Sequence, residues 1–136
     1  MAASMYIVVE GDDPGFDIFV NGRALARHED ALEKLALSLG IRPLIEFFSA
    51  DENSMALLIE EGAGNQDLLR RLPPPQWYTG AEGLRTVQAL VRALEHAPHQ
   101  LGSEGPKVLA ELTEFARVLQ KAETRNLRWH LAVSWR

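Results

Sequence analysis

The sequence contains one pair of side chains with the spacing of metal ligands. His96 and His99 are separated by two residues and follow Glu95, and imidazole and carboxylate groups are common zinc ligands. Pro98 interrupts the pair, and no second cluster in the sequence supplies the further ligands that zinc requires. A cationic histidine at the end of a helix, where the dipole favours positive charge, is the competing interpretation. The sequence therefore predicts no metal and no other cofactor.

A further histidine, His130, is the best candidate for acid–base catalysis. Its imidazole belongs to the side-chain class that titrates near neutral pH, and with nearby carboxylates or Tyr78 it could transfer protons in a cleft beside the terminal strands. Because His130 alternates with Trp129 and Leu131 in an apolar segment, a buried structural histidine is the alternative. A pocket that reaches the ring would separate the two interpretations.

Two aromatic residues, Trp77 and Tyr78, follow the stiff segment Pro73-Pro74-Pro75. Aromatic pairs in loops often anchor protein interfaces, and they equally often pack a loop onto a helical core. We favour the core interpretation, since the prolines limit the conformational freedom that the preceding chain must lose. The surface interpretation keeps both aromatic residues as candidates for binding a partner.

Acidic residues are the second set of candidates for partner binding. The formal net charge is −5, and 1–68 holds 13 acidic and 4 basic residues, whereas 69–136 holds 6 and 10. Several of these acids lie at predicted helix starts, where they complement the dipole. Others could form a patch for a basic protein. The candidates are Asp12, Asp17, Glu60 and Glu61.

Composition excludes several functional classes. The chain has 136 residues and no cysteine, which removes disulfides, iron–sulfur clusters and thiol nucleophiles. An acidic chain without a basic stripe argues against nucleic-acid binding. The longest apolar runs are much shorter than the roughly 20 residues that a membrane span needs, and no secretory signal is recognised. We therefore expect one domain, 1–136, in the cytoplasm, with no membrane partner.

Strands are predicted at both ends of the chain. Tyr6–Glu10 is short and β-branched, and glycine and proline follow it. From Trp129 to Trp135, large apolar residues alternate with His130, Ala132 and Ser134, which is typical of a half-buried strand. Leu44–Phe48 fits either one helical turn or an edge strand.

Helices are predicted between these strands, from apolar residues spaced three and four apart and from capping residues at the helix ends. The clearest signal is the capping box Thr79-x-x-Glu82, in which each side chain binds a backbone N–H at the helix start. The predicted helices are Glu29–Leu39, 53–60, Thr79–Glu95 and Ser103–Asn126. The fold class that follows is α+β, with amphipathic helices packed on a small sheet that pairs the N- and C-terminal strands.

The segment 14–22 is ambiguous. Asn21-Gly22 could form the turn of a hairpin. Alternatively, Asp13 and Pro14 could start a helix that ends at Gly22. We favour the helix because Phe16, Phe19 and Val20 would then share one face.

Three stretches carry a resemblance to known proteins. They are Gly40-Ile-Arg-Pro-Leu with Phe47-Phe-Ser, Trp77-Tyr with Glu82-Gly-Leu-x-Thr-Val-x-Ala-Leu, and Leu127-Arg-Trp-His-Leu-Ala-Val. Over most of the chain they resemble a group of small uncharacterised bacterial proteins. The resemblance implies a bacterial cytoplasmic α+β domain. Because the shared residues are mainly packing and capping residues, it implies no activity and no catalytic residue.

Together these observations predict a non-enzymatic protein-interaction module, of the kind found among immunity and inhibitor proteins. Its acidic N-terminal half would attract a basic protein partner. The alternative is a small enzyme or ligand-binding domain that uses His130. A third hypothesis is a homodimer, formed through an open edge of the sheet or through the Trp77–Tyr78 surface.

Overall fold

The two ends of the chain meet in one antiparallel pair of strands. In the computed structural model, which describes residues 4–11, 14–49 and 76–134, strand β1 is Ser4–Val9 and strand β2 is Trp129–Ser134. Their register places Ser4 opposite Ser134 and Val9 opposite Trp129. This pairing confirms the predicted α+β class with a sheet formed by the terminal strands.

In the part of the chain that the structure describes, four helices pack against this sheet. They are α1 (Arg23–Arg27), α2 (Glu29–Ser38), α3 (Gly80–His96) and α4 (Gly105–Thr124). Two 3₁₀ segments, Leu44–Phe47 and Pro98–Glu104, connect them. The predicted helix at 53–60 lies outside the described residues. The buried core includes Ile7, Leu25, Phe47, Val87, Leu90, Leu94, Leu112, Phe115, Leu119, Trp129 and Leu131.

Strand β2 is confirmed, but it is more deeply buried than its sequence alternation predicts. Trp129, His130, Leu131 and Ala132 are all 0% exposed, so both faces of the strand are covered over this stretch. One face packs on the core. On the other face, the ring of Trp77 lies with its centroid 4.8 Å from that of His130.

The segment 14–22 forms neither the predicted helix nor the alternative hairpin. It contains no helix or strand residues, and it is tied to α4 by two arginines whose side chains donate to its backbone carbonyls. Arg117 bonds the carbonyls of Asp17 and Phe19, and Arg125 bonds that of Pro14. These long-range bonds replace the local hydrogen bonds of a helix.

Gly22 begins helix α1 rather than ending a helix. Its carbonyl accepts a hydrogen bond of 3.1 Å from the N–H of Met5 in β1. A Cβ atom at position 22 would overlap the Met5 backbone, with Met5 N only 2.9 Å away. Glycine is therefore needed here for close approach to the strand.

Helix α2 agrees with the prediction for Glu29–Leu39. At its end, Gly40 has φ of +70°, and the N–H groups of Gly40 and Ile41 donate to the carbonyls of Leu37 and Ala36. This is the Schellman arrangement that satisfies the last carbonyls of a helix. The next segment, Leu44–Phe48, was predicted as either one helical turn or an edge strand, and it combines the two. Leu44–Phe47 form a 3₁₀ turn, and Phe48, which follows it, forms a parallel bridge with Leu131.

The capping box of α3 is confirmed in both of its bonds. Thr79 Oγ1 accepts from Glu82 N at 3.1 Å, and Thr79 N donates to Glu82 Oε2 at 3.2 Å. Gly83 follows immediately, where a hydrophobic residue often packs against the chain before the helix. The indole ring of Trp129 lies against this position, and a Cβ atom there would be 2.9 Å from its Nε1.

Helix α4 begins two residues later than predicted. Ser103 does not cap it, because Glu104 is the residue that precedes the first helical residue; Ser103 lies in the 3₁₀ segment, after a kink at Gly102 with φ of +64° and ψ of −142°. Its end is as expected, with Asn126 left-handed at φ of +56°. Among the described residues, no helix combines the length and apolar character that crossing a bilayer requires.

Candidate functional site

His130 lies inside the molecule. Its side chain is 0% exposed, and its Nδ1 is 3.1 Å from the Leu131 carbonyl oxygen, which can accept a hydrogen bond from that nitrogen. The ring of Trp77 covers it from the outer face of the sheet. This placement favours the structural interpretation, because a general base must come within hydrogen-bond reach of its substrate.

The Trp77–Tyr78 pair is built onto the core. Tyr78 exchanges two backbone hydrogen bonds of 2.8 Å with Trp129, and its ring meets that of Phe47 edge-on at 5.1 Å. Its hydroxyl donates to Gln76 Oε1 at 3.0 Å. Both aromatic residues are half-buried. These contacts favour the core interpretation over that of a free interface anchor.

The histidine pair His96 and His99 is exposed. His96 lies in the last turn of α3, where the dipole favours a cation, and His99 lies in the 3₁₀ segment that follows. Within the described ranges, no group of three or more histidine, aspartate or glutamate side chains is arranged to hold a metal ion.

Of the four acidic candidates, the structure describes Asp17 alone. This residue is exposed, and its Oδ1 accepts a hydrogen bond of 2.9 Å from the N–H of Phe19, which is a local turn contact. Asp12, Glu60 and Glu61 lie outside the described residues.

A cluster of ion pairs joins the start of α2 to the start of α4. Glu104 accepts hydrogen bonds from Arg27 Nη2 at 2.8 Å and lies 2.9 Å from His28 Nε2. The hydrogen bond from Arg27, followed by that from His28, lowers the pKa of the Glu104 carboxyl to about 2. The basic side chains just before α2 are therefore already directed toward Glu104.

The exposed side of α2 carries an acidic surface that the sequence interpretation missed. Glu29, Asp30, Glu33 and Leu37 fall within an arc of about 100° at 3.6 residues per turn, and we call this set the α2 acidic face. None of the ion pairs among the described residues includes its three carboxylates. Leu37 is 61% exposed at its far end. The sequence signal is the spacing of Glu29, Asp30 and Glu33, of which Glu29 and Asp30 alone are explained by dipole complementarity at the helix start.

Burial, together with crowding inside the α2 acidic face, changes the protonation of Glu29. Its position borders the side of the helix that buries Leu32 and Ala36. Burial, then the neighbouring Asp30 and Glu33, raises the pKa of the Glu29 carboxyl to about 7. A nearby cation would relieve this repulsion and favour the ionised form.

Replacing Glu29 with glutamine is expected to stabilise the protein at alkaline pH. The raised pKa means that stability from this group is complete below its ordinary pKa of 4.5 and is lost as pH rises through about 7. Glu29→Gln removes that loss. Because the group is half-exposed, the expected gain in the free energy of unfolding is less than about 1 kcal/mol. Urea unfolding at about pH 5 and about pH 8 measures it. The depressed pKa of Glu104 acts in a separate window, below 4.5.

Glu95→Gln is the matched control for this experiment, because Glu95 is an exposed acid of α3 outside the α2 acidic face. An equal alkaline gain in both variants would show that net charge, and not crowding at Glu29, is responsible.

Comparison of the chain with protein-family models, with curated proteins and with solved structures found no match.

Proposed function

We propose that this protein is a non-enzymatic interaction module that binds a basic protein partner through the α2 acidic face. The single observation that carries the proposal is the presence of three clustered carboxylates, Glu29, Asp30 and Glu33, that form no ion pair among the described residues. Inhibitor and immunity proteins are one class of such modules.

The electrostatic part of the proposal follows from the crowding of like charges. Three carboxylates on adjacent helical turns repel one another, and this repulsion adds to the effect of burial, which is the larger cause of the raised pKa of Glu29. Lysine or arginine side chains from a partner would replace it with attraction. Charge of one sign also accelerates the encounter with an oppositely charged partner.

The apolar part of the proposal rests on Leu37. This side chain is 61% exposed and follows Glu33 by one helical turn. A partner that pairs with the carboxylates would cover it. An apolar contact flanked by charges is a common composition for an interface core and its rim.

The enzymatic alternative receives no support from the position of its proposed catalytic residue. His130 is fully buried beneath Trp77, so a substrate would have to displace the aromatic ring and the loop that carries it. We therefore retain the interaction module alone.

Neutralising two charges of the α2 acidic face is expected to weaken binding of a basic probe. The probe is a labelled amphipathic helical peptide of lysine and leucine, followed by fluorescence anisotropy at about 0.1 M salt. The double variant Asp30→Asn with Glu33→Gln should bind it about tenfold more weakly, or about 1.4 kcal/mol. The affinity of the unaltered protein should also rise between about pH 6 and pH 8 as Glu29 ionises.

The matched control is the double variant Glu46→Gln with Glu95→Gln. Both residues are exposed and outside the α2 acidic face, and the change in net charge is the same. Equal weakening in both double variants would contradict a specific site. Binding that is unchanged at about 1 M salt, where the Debye length is about 3 Å, would contradict the electrostatic mechanism.

A further inference from the structure

A cleft on a different part of the molecule lies between the end of α2 and the first turns of α3. Its volume is about 420 Å³, which is within the range of small-molecule pockets. The loop after α2 contributes Ile41 and Arg42, the first 3₁₀ segment contributes Phe47, and α3 contributes Glu82, Arg85 and Thr86.

Arg42 is fixed in this cleft, and no carboxylate of the described residues pairs with it. Its guanidinium carbon lies 4.8 Å from the ring centroid of Phe47 and 4.7 Å from that of Tyr78. Its backbone is also held, because the buried hydroxyl of Thr86 donates to the Arg42 carbonyl at 2.7 Å. Cation–π contacts position the charge and leave its N–H groups available for an anion.

Arg85 supplies a second guanidinium to the same cleft. It is exposed on α3, and among the described residues no ion pair includes Arg85 or Arg42. The acid of this cleft, Glu82, already accepts the N–H of Thr79 in the capping box. The N–H of Ala81 is also engaged, by the carboxylate of Glu123 at 3.0 Å. The anion-binding capacity of the cleft therefore comes from the two arginines and not from the helix end.

We propose that this cleft binds a small phosphate monoester, with Arg42 and Arg85 pairing with the phosphate and Ile41 and Ala81 facing the organic group. A phosphate monoester carries about −1.5 to −2 charges at neutral pH, which matches two guanidinium groups. The planar fork of arginine suits the oxygen geometry of phosphate. The cleft is larger than inorganic phosphate, and its apolar residues provide a surface for the remainder of the ligand.

Replacing Arg85 is the direct test, with phenyl phosphate as the probe and titration calorimetry as the measurement. The unaltered protein should bind phenyl phosphate more tightly than inorganic phosphate, because the phenyl ring contacts the apolar residues that line the cleft. Arg85→Gln should weaken phenyl phosphate binding by about tenfold or more. The matched control is Arg92→Gln, which removes an exposed arginine of the same helix outside this cleft and should leave the affinity within about twofold.

A second variant tests the orientation of the ligand. Ile41→Ser should reduce the preference for phenyl phosphate over inorganic phosphate while leaving inorganic phosphate binding unchanged. The absence of saturable binding of phenyl phosphate to the unaltered protein would overturn the proposal. Equal losses in Arg85→Gln and Arg92→Gln would also overturn it. If a phosphotyrosine peptide binds about tenfold more tightly than phenyl phosphate, the small-molecule proposal is overturned and the ligand of the cleft is a phosphorylated protein.

Discussion

Replacing Trp129 with alanine is expected to lower the free energy of unfolding by about 3–5 kcal/mol. The indole is 0% exposed, stacks on Phe47 with ring centroids 5.1 Å apart, and donates from Nε1 to the Thr79 carbonyl at 3.0 Å. The alanine variant would leave a large cavity, and the Thr79 carbonyl would keep only the hydrogen bond of 3.3 Å from the N–H of Gly83. This loss is a large share of the about 5–15 kcal/mol that stabilises a typical domain.

Urea unfolding followed by far-UV circular dichroism measures this loss. Trp129→Phe provides a milder variant that stays folded, because it keeps an aromatic ring but removes the indole N–H, and about 1–2 kcal/mol is expected. Trp77→Ala is the comparison variant, since this half-buried tryptophan lies outside the main core. A larger destabilisation for Trp77→Ala than for Trp129→Ala would contradict the central role of Trp129.

Replacing Gly83 with alanine is expected to destabilise the protein by about 1–3 kcal/mol, although the same change in an exposed helix usually stabilises by about 1 kcal/mol. The sign reverses because the new Cβ atom would lie 2.8 Å from Cε2 of the Trp129 indole. That ring is also stacked on Phe47 and is fully buried, so it has little room to move.

A double-mutant cycle tests this explanation. Combined with Trp129→Phe, Gly83→Ala should cost much less than it does alone, because the smaller ring leaves space for the methyl group. If the two effects simply add, the close approach of the indole to Gly83 is not the cause.

Features with a local code could be predicted from the sequence. The start of α3 depends on Thr79 and Glu82, three residues apart, and both bonds of the predicted capping box are present. The left-handed conformation of Asn126 is similarly local. The terminal strands could also be predicted, because the β-branched residues of one and the alternating residues of the other are signals contained in each strand's own sequence.

Features that depend on distant partners could not be predicted in this way. The segment 14–22 is held by Arg117 and Arg125, about a hundred residues away, so its local helical spacing was misleading. His130 is buried because Trp77 packs on it. The candidate site shows the same limit, since Glu29 and Asp30 have the pattern of ordinary helix-start acids, while Arg27 and His28 are directed to Glu104 across the fold.

The pairing of β1 with β2 has a consequence for biosynthesis. Ser4 pairs with Ser134, which is synthesised 130 residues later. Strand β1 therefore leaves the ribosome long before the strand to which it hydrogen-bonds. At about 5–20 residues per second, this delay is roughly 6–25 s. The earliest stable intermediate in translation must therefore form without the sheet, and the contiguous helical pair α3–α4 can dock as soon as Thr124 has emerged. Until β2 has been made, β1 is an unpaired apolar strand, which chaperones can bind and which can associate wrongly.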